Sequence, residues 1–157
     1  MKYTDADLNW QDKNSRSSIE MRDKSFRPAV ADKIENMADY DTIYVGFPIW
    51  WYVAPTIINT FLEQYDLTGK TIVPFATSGG SGMGNTNTEL APSCKGAILK
   101  EGKKFSVNTD KTELKTWSGR CICYPCPRTY QIPYIAGFSY SRSCYSLCTV
   151  NSRTSSD

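Results

Sequence analysis

Two short stretches carry residues with chemistry to offer. The first is GFPIWWYVAP, Gly46 to Pro55, in which Trp50, Trp51 and Tyr52 stand side by side between two prolines. The second is TSGGSGMGNT, Thr77 to Thr86, where Gly79, Gly80, Gly82 and Gly84 alternate with Thr77, Ser78, Ser81 and other small residues. Neighbouring aromatics on a loop either fold back as core or form a platform for a planar ligand, and stacking on an aromatic is worth roughly 1–3 kcal/mol per ring. Glycines let backbone N–H groups approach a ligand closely, while the hydroxyls can bond ring heteroatoms. No Gly-Lys-Ser/Thr closes the second stretch and it lacks dinucleotide spacing, so it suits a ring edge and not a phosphate.

Other chemistry is excluded or displaced. The chain has no histidine, which removes Ser-His-Asp and Cys-His nucleophile systems and any imidazole metal site. Of six cysteines, Cys94 is alone in the body, while Cys121, Cys123, Cys126, Cys144 and Cys148 crowd the last forty residues. CICYPC with a later Cys-x-x-x-Cys offers soft ligands for zinc, but matches no zinc-ribbon spacing, and a disulfide framework lacks a secretory context. No metal site is assigned.

The elements that must position the two loops are legible in the body of the chain. Thr42 to Phe47 is β-branched and aromatic without clean alternation, as expected of a parallel strand covered on both faces. Pro48 ends it. Pro55 suits the first turn of a helix whose apolar face is Ile57, Ile58, Phe61, Leu62 and Tyr65, ending near Asp66-Leu67-Thr68-Gly69. Thr71 to Ala76 is a second strand. Thr86 to Leu90 reads as a short helix, Ala97 to Phe105 as a further strand, and Asp110 as the cap of a helix over Lys111 to Trp117. Upstream, Pro28 to Met37 reads as helical, with Val30, Ile34 and Met37 on one face. Strands alternating with helices predict an α/β, doubly wound parallel sheet with ligands at the carboxyl ends of the strands, where both loops leave.

Length and charge bound the rest. A chain of 157 residues fits one compact domain, and a formal net charge of +2 without long blocks of one sign indicates neither nucleic acid nor membrane as a partner. No stretch has the roughly 18 apolar residues of a membrane span, nor does the N-terminus carry a signal-peptide run, so a cytoplasmic location is expected. Composition changes near Trp117. Residues 1–117 hold eleven Lys and three Arg, whereas 118–157 hold four Arg, five Tyr and eight Ser but no Lys or Glu. Residues 1–117 are therefore expected to form the folded domain, with 118–157 an adventitious, junction-derived tail.

FPIWWYVAPTIINTFLE, followed after DLTGKT by IVPFATSGGSGMGNT, closely resembles the flavodoxin family, in its bacterial branch with the double tryptophan and the Ser-Gly-Gly-Ser-Gly loop. YTDADLNW and the SRSSIEM to SFRP run look like the same branch, so the resemblance covers about residues 3–117. It implies a five-stranded parallel sheet and non-covalent FMN, which performs redox chemistry while the protein positions and tunes it. It places Pro48, Ile49, Trp50, Trp51 and Tyr52 against the isoalloxazine, and Thr77, Ser78, Gly79, Gly80 and Ser81 beside the ring's polar edge. The implied role is electron transfer with redox partner proteins.

One departure from the family is large. Nothing in MKYTDADLNW supplies the family's first strand or the Ser/Thr- and Gly-containing loop that wraps the FMN phosphate at a helix N-terminus. The sheet is thus expected to be incomplete, with an exposed edge open to self-association, and FMN binding to be impaired. Two other functions stay open: a non-catalytic flavodoxin remnant or interaction module, and an FMN-dependent NAD(P)H or quinone reductase.

Overall fold

A computed structural model describes residues 3–106, 108–121 and 129–131. Its centre is a pair of parallel strands, β1 (Thr42–Pro48) and β2 (Thr71–Thr77), in unbroken register from Thr42 opposite Thr71 to Pro48 opposite Thr77. Ile43, Val45, Ile72 and Val73 are at most 1% exposed, which is why these runs are apolar without alternation: both faces are covered. The crossover between them is α2 (Thr56–Glu63), with Pro55 as its N-cap residue. Ile57, Ile58, Phe61 and Leu62 are buried against the sheet, each such side chain contributing about 1.5–3 kcal/mol. Asn59 on the same helix donates to the Glu89 carbonyl (3.0 Å) and to Ser93 Oγ (2.9 Å), tying it to α3 (Thr86–Leu90).

The expected strand over 97–105 is two pieces, β3 (Ile98–Leu99) and β4 (Lys103–Phe105), both parallel to β2. Ile98 pairs with Thr71 and Lys103 with Phe75, so the edge advances five residues while β2 advances four. That is one extra residue, a bulge opposite Val73 and Pro74. Pro74 has no N–H to give a ladder and is tolerated where pairing lapses. Asn87 holds the bulge, donating to the Lys100 carbonyl (2.8 Å) and accepting from Gly102 N–H (3.1 Å).

Upstream of the sheet the structure corrects the sequence reading. Pro28 to Met37 is not helical; only Met37–Asp39 form a short 3-10 turn. The apolar residues are still used, with Met37 buried and Val30 and Ile34 packed on the core. Ile34 N–H donates to Tyr65 Oη (2.9 Å) instead of to a helical carbonyl, so the segment lies irregularly over the core. The helix of this region is α1 (Arg16–Arg22), capped by Ser15, whose Oγ accepts from Ser18 N–H (3.3 Å). Residues 3–14 are turns and irregular chain.

The last helix, α4 (Lys111–Cys121), begins as expected with Asp110 Oδ1 accepting from Glu113 N–H (2.8 Å), and runs past the composition change. Trp117 meets Phe105, Phe75 and Tyr44 edge-on at centroid distances of 5.0, 6.0 and 5.7 Å. Beyond it, β5 (Thr129–Gln131) pairs in parallel with Thr42–Tyr44 of β1, on the edge away from β2. The sheet order is β3-β2-β1-β5, with β4 also on β2. Cys123, Cys126, Cys144 and Cys148, weighed above as zinc ligands or a disulfide framework and assigned to neither, lie outside the described residues. Among the described residues no helix is long and apolar enough to cross a membrane, and no group of three His, Cys, Asp or Glu could hold a metal.

Phe61 is buried in the middle of the α2 and sheet interface. Phe61→Ala is expected to cost about 3–5 kcal/mol, read as a lowered urea midpoint. Ile98→Ala, at an exposed site, should stay within about 0.5 kcal/mol.

Candidate functional site

Because β1 and β2 end in register, their carboxyl-terminal loops leave side by side. Ile49 N–H donates to the Thr77 carbonyl (2.9 Å), carrying the ladder one residue beyond the strands. The aromatic stretch then closes into a two-residue hairpin: Trp50 N–H donates to the Val53 carbonyl (2.9 Å) and Val53 N–H to the Trp50 carbonyl (3.0 Å). Its two central residues, Trp51 and Tyr52, have φ of +46° and +66°. Positive φ at both central positions is the signature of a type I′ turn, normally occupied by Asn-Gly. Left-handed backbone costs roughly 1–2 kcal/mol for an L-residue with a Cβ. Two bulky aromatics there are strained, and 46% and 66% of their surfaces are exposed.

The three aromatics therefore divide. Trp50 is half-buried and packs on the core, where Tyr3 meets it edge-on at 5.5 Å. Trp51 and Tyr52 face outward. Of the alternatives of core and platform, Trp50 takes the first, while Trp51 and Tyr52 stay out of the core.

Tyr3 belongs to a charged buttress beneath the loop. Its hydroxyl donates to Glu20 Oε2 (2.5 Å), Arg16 Nε donates to Glu20 Oε1 (2.6 Å), and the Arg16 guanidinium lies 4.1 Å over the Tyr3 ring. Glu20 is buried, so its charge is tolerated only because both donors meet it. Burial, then the hydrogen bond to Glu20 and the charge of Glu20, hold the Tyr3 phenol well above its ordinary value of 10.0. Sequence reasoning missed all three residues; the Arg16 to Glu20 spacing of four was the available signal.

The glycine-rich loop is tied to the aromatic hairpin at Gly84 and Asn85. Asn85 N–H donates to the Tyr52 carbonyl (3.1 Å). Gly84 has φ of +53°, and a Cβ there would lie 2.1 Å from that same carbonyl oxygen. Gly79, Gly80 and Gly82 differ: their φ is ordinary and a Cβ would meet nothing within 4 Å. Ser78 and Ser81 hydroxyls bond each other (2.7 Å), and Gly80 N–H donates to Ser78 Oγ (3.2 Å), so the loop is partly self-satisfied. Thr77, Ser78 and Ser81 are half-buried and Gly79 and Gly80 exposed, as are Trp51 and Tyr52, while Pro48 and Ile49 sit half-buried at the strand end.

A groove of about 720 Å³ opens beside the hairpin, between residues 10–27 on one side and α2 and α3 on the other. Trp51 and Tyr52 line it; Pro48, Ile49, Trp50 and residues 77–81 do not. Cys94 lies elsewhere, buried, with its thiol pushed up to about 11 by burial. It is inert as a nucleophile near neutral pH.

Gly84→Ala is expected to cost at least about 1–2 kcal/mol from backbone conformation alone, with a further loss from the clash at Tyr52. Gly80→Ala should be near neutral; denaturant melts compare them. Tyr3→Phe removes one donor from buried Glu20 and is expected to cost about 1–3 kcal/mol. With the folded phenol raised, its contribution is complete below the ordinary tyrosine value of 10.0 and is lost as pH climbs through the raised one. Melts at pH 8 and above pH 10 check this, the difference between wild type and variant shrinking at the higher pH.

Comparison with known proteins adds descent to this geometry. The sequence model of the family described as Flavodoxin matches residues 1–121. A protein from Bacteroides eggerthii, provisionally named a flavoprotein, is similar at 47% identity and a TM-score of 0.71, over 78% of this chain and 77% of that one. A Bacteroides uniformis protein, named in the same provisional way, is 49% identical with a TM-score of 0.71, over 76% of each chain. A flavoprotein from Lactobacillus acidophilus, solved in complex with FMN, shares the fold at 22% identity and a TM-score of 0.51, over 74% of this chain and 76% of that one. No curated protein matches. A parallel α/β sheet ending in these two tied loops, matched over residues 1–121, means that the chain belongs to the flavodoxin family.

Proposed function

We propose that this chain is an FMN-binding electron-transfer protein. FMN is the cofactor of the family, and when bound it takes up and passes on electrons, so no protein nucleophile is needed. The observation that carries the reading is the strained Trp51-Tyr52 turn. Bulky aromatics kept outward in left-handed backbone by a dedicated glycine contact are a recurrent mark of a binding site.

The residues fit the isoalloxazine on one side. Trp51 and Tyr52 offer stacking surface, with Pro48, Ile49 and half-buried Trp50 behind them. Thr77, Ser78, Gly79, Gly80 and Ser81 offer hydroxyls and open backbone beside them for the ring's polar edge. An apolar wall against the ring disfavours added negative charge on it and so lowers its potential.

In titrations followed by visible absorbance and flavin fluorescence, this chain is expected to bind FMN and also riboflavin, which carries the same isoalloxazine ring. Trp51→Ala should weaken both by about tenfold, a loss of one stacked ring. No flavin binding at all would refute the function. Steady NADPH or NADH consumption with added FMN and a quinone would turn the reading from carrier to reductase.

A further inference from the structure

The groove beside the aromatic hairpin has a composition that holding a flavin ring does not require. Its walls carry three exposed aromatics: Trp10, 70% exposed, from the N-terminal segment, and Trp51 and Tyr52 from the hairpin. Four cations also line it, and two are neutralised. Lys24 Nζ pairs with Glu89 (2.5 Å), and Arg27 pairs with Glu63 (2.9 Å). Lys13 and Arg22 have no carboxylate partner among the described residues. Arg22 Nη2 donates to the Lys13 backbone carbonyl (2.5 Å), which brings the two cationic residues to the same wall. Among the described residues Glu89 is the one acidic residue of the lining, and Lys24 already holds it.

We infer that this groove is a binding site for a planar organic anion: an aromatic ring system bearing a carboxylate, sulfonate or similar group. The rings lie against Trp10, Trp51 and Tyr52, and the anionic group meets Lys13 and Arg22. Each half of the site then resolves a cost seen in the structure. Exposed aromatic surface is covered and removed from water, and two like charges held on one wall gain a counter-charge. A volume of about 720 Å³ falls in the range of roughly 300–1,000 Å³ typical of small-molecule sites. None of residues 77–81 lines the groove, so it is distinct from the ring-edge loop while sharing the Trp51-Tyr52 wall. A ligand here sits directly on the strained turn.

The test uses the whole chain without flavin, which makes it independent of the proposed FMN binding. Anthraquinone-2-sulfonate is titrated by calorimetry, beside the neutral 2-(hydroxymethyl)anthraquinone. Expected are one site per chain for the sulfonate and a preference over the neutral analogue of about tenfold, the worth of a charge-assisted contact. Lys13→Glu and Arg22→Glu should each weaken the sulfonate by about tenfold or more, whereas Lys95→Glu, outside the groove, should not. Far-UV circular dichroism identifies any variant that fails to fold. If Arg22→Glu fails, the exposed Lys13→Glu alone decides. Equal affinity for charged and neutral probes, or unchanged affinity in a folded Lys13→Glu, overturns the inference. FMN is itself a planar anion, so the titration is repeated with excess FMN. Displacement of the probe would assign the groove to the flavin and overturn a separate site; undiminished probe binding supports one. Binding of poly-glutamate without binding of the sulfonate would assign the surface to an acidic protein and also overturn it.

Discussion

The unbroken parallel register of β1 and β2 is the constraint from which the site follows. Parallel strands need a crossover, and α2 supplies it with an apolar face that fills the space above Ile43 and Ile72. Because Pro48 stands opposite Thr77, both loops depart at one level, and the Ile49 to Thr77 bond extends the ladder into them. A slip of one residue would break that bond and turn each strand's side chains to the other face. The irregularity that Pro74 introduces is absorbed on the far side of β2, as the bulge between β3 and β4. The β1 to β2 seam, on which the loops depend, stays regular.

On that seam the chain builds a turn that its residue types resist. A tryptophan and a tyrosine occupy consecutive left-handed positions, a penalty of about 2–4 kcal/mol in total by the usual figure for each residue. Three contacts oppose it: the reciprocal Trp50 and Val53 hydrogen bonds, the Asn85 bond to the Tyr52 carbonyl, and Trp50 packed between the core and Tyr3. Glu20 links this last contact to the charge network, since the carboxylate that fixes Tyr3 is itself held by Arg16. The turn is thus over-determined from below by the buttress and from the side by Gly84. Strain can persist in a folded chain only under that condition.

How much of this was legible in the sequence depended on the range of the interactions. The strands at 42–47 and 71–76, the helix after Pro55, the short helix at 86–90 and the Asp110 cap rest on local pattern, and each appears where the pattern puts it. Pro28 to Met37 failed because helical spacing of Val30, Ile34 and Met37 describes any segment that touches a core every third or fourth residue. A tertiary bond, Ile34 N–H to Tyr65, decided its backbone. The edge strand over 97–105 was mis-read as continuous because the break lies opposite Pro74, some thirty residues earlier in sequence, and pairing partners are invisible to a local window. The hairpin at 50–53 was invisible for a different reason: nothing in Trp-Tyr advertises positive φ, and only Gly84, placed against the Tyr52 carbonyl, reveals how it is held.

The same hairpin explains why neither simple account of the double tryptophan suffices. In a strand, Trp50 and Trp51 would point to opposite faces and one would be core by alternation alone. In a helix both could share a partly buried face. The left-handed turn does something else: it sends Trp50 inward to Tyr3, and leaves Trp51 and Tyr52 outward together, so that two adjacent aromatic side chains form one exposed surface. That surface borders the glycine-rich loop through Tyr52 and Asn85, and it borders the basic groove through the lining shared with Lys13 and Arg22. Anything bound on either side therefore touches the same strained residues. A ligand that relieved or deepened their strain on one side would change the platform offered on the other.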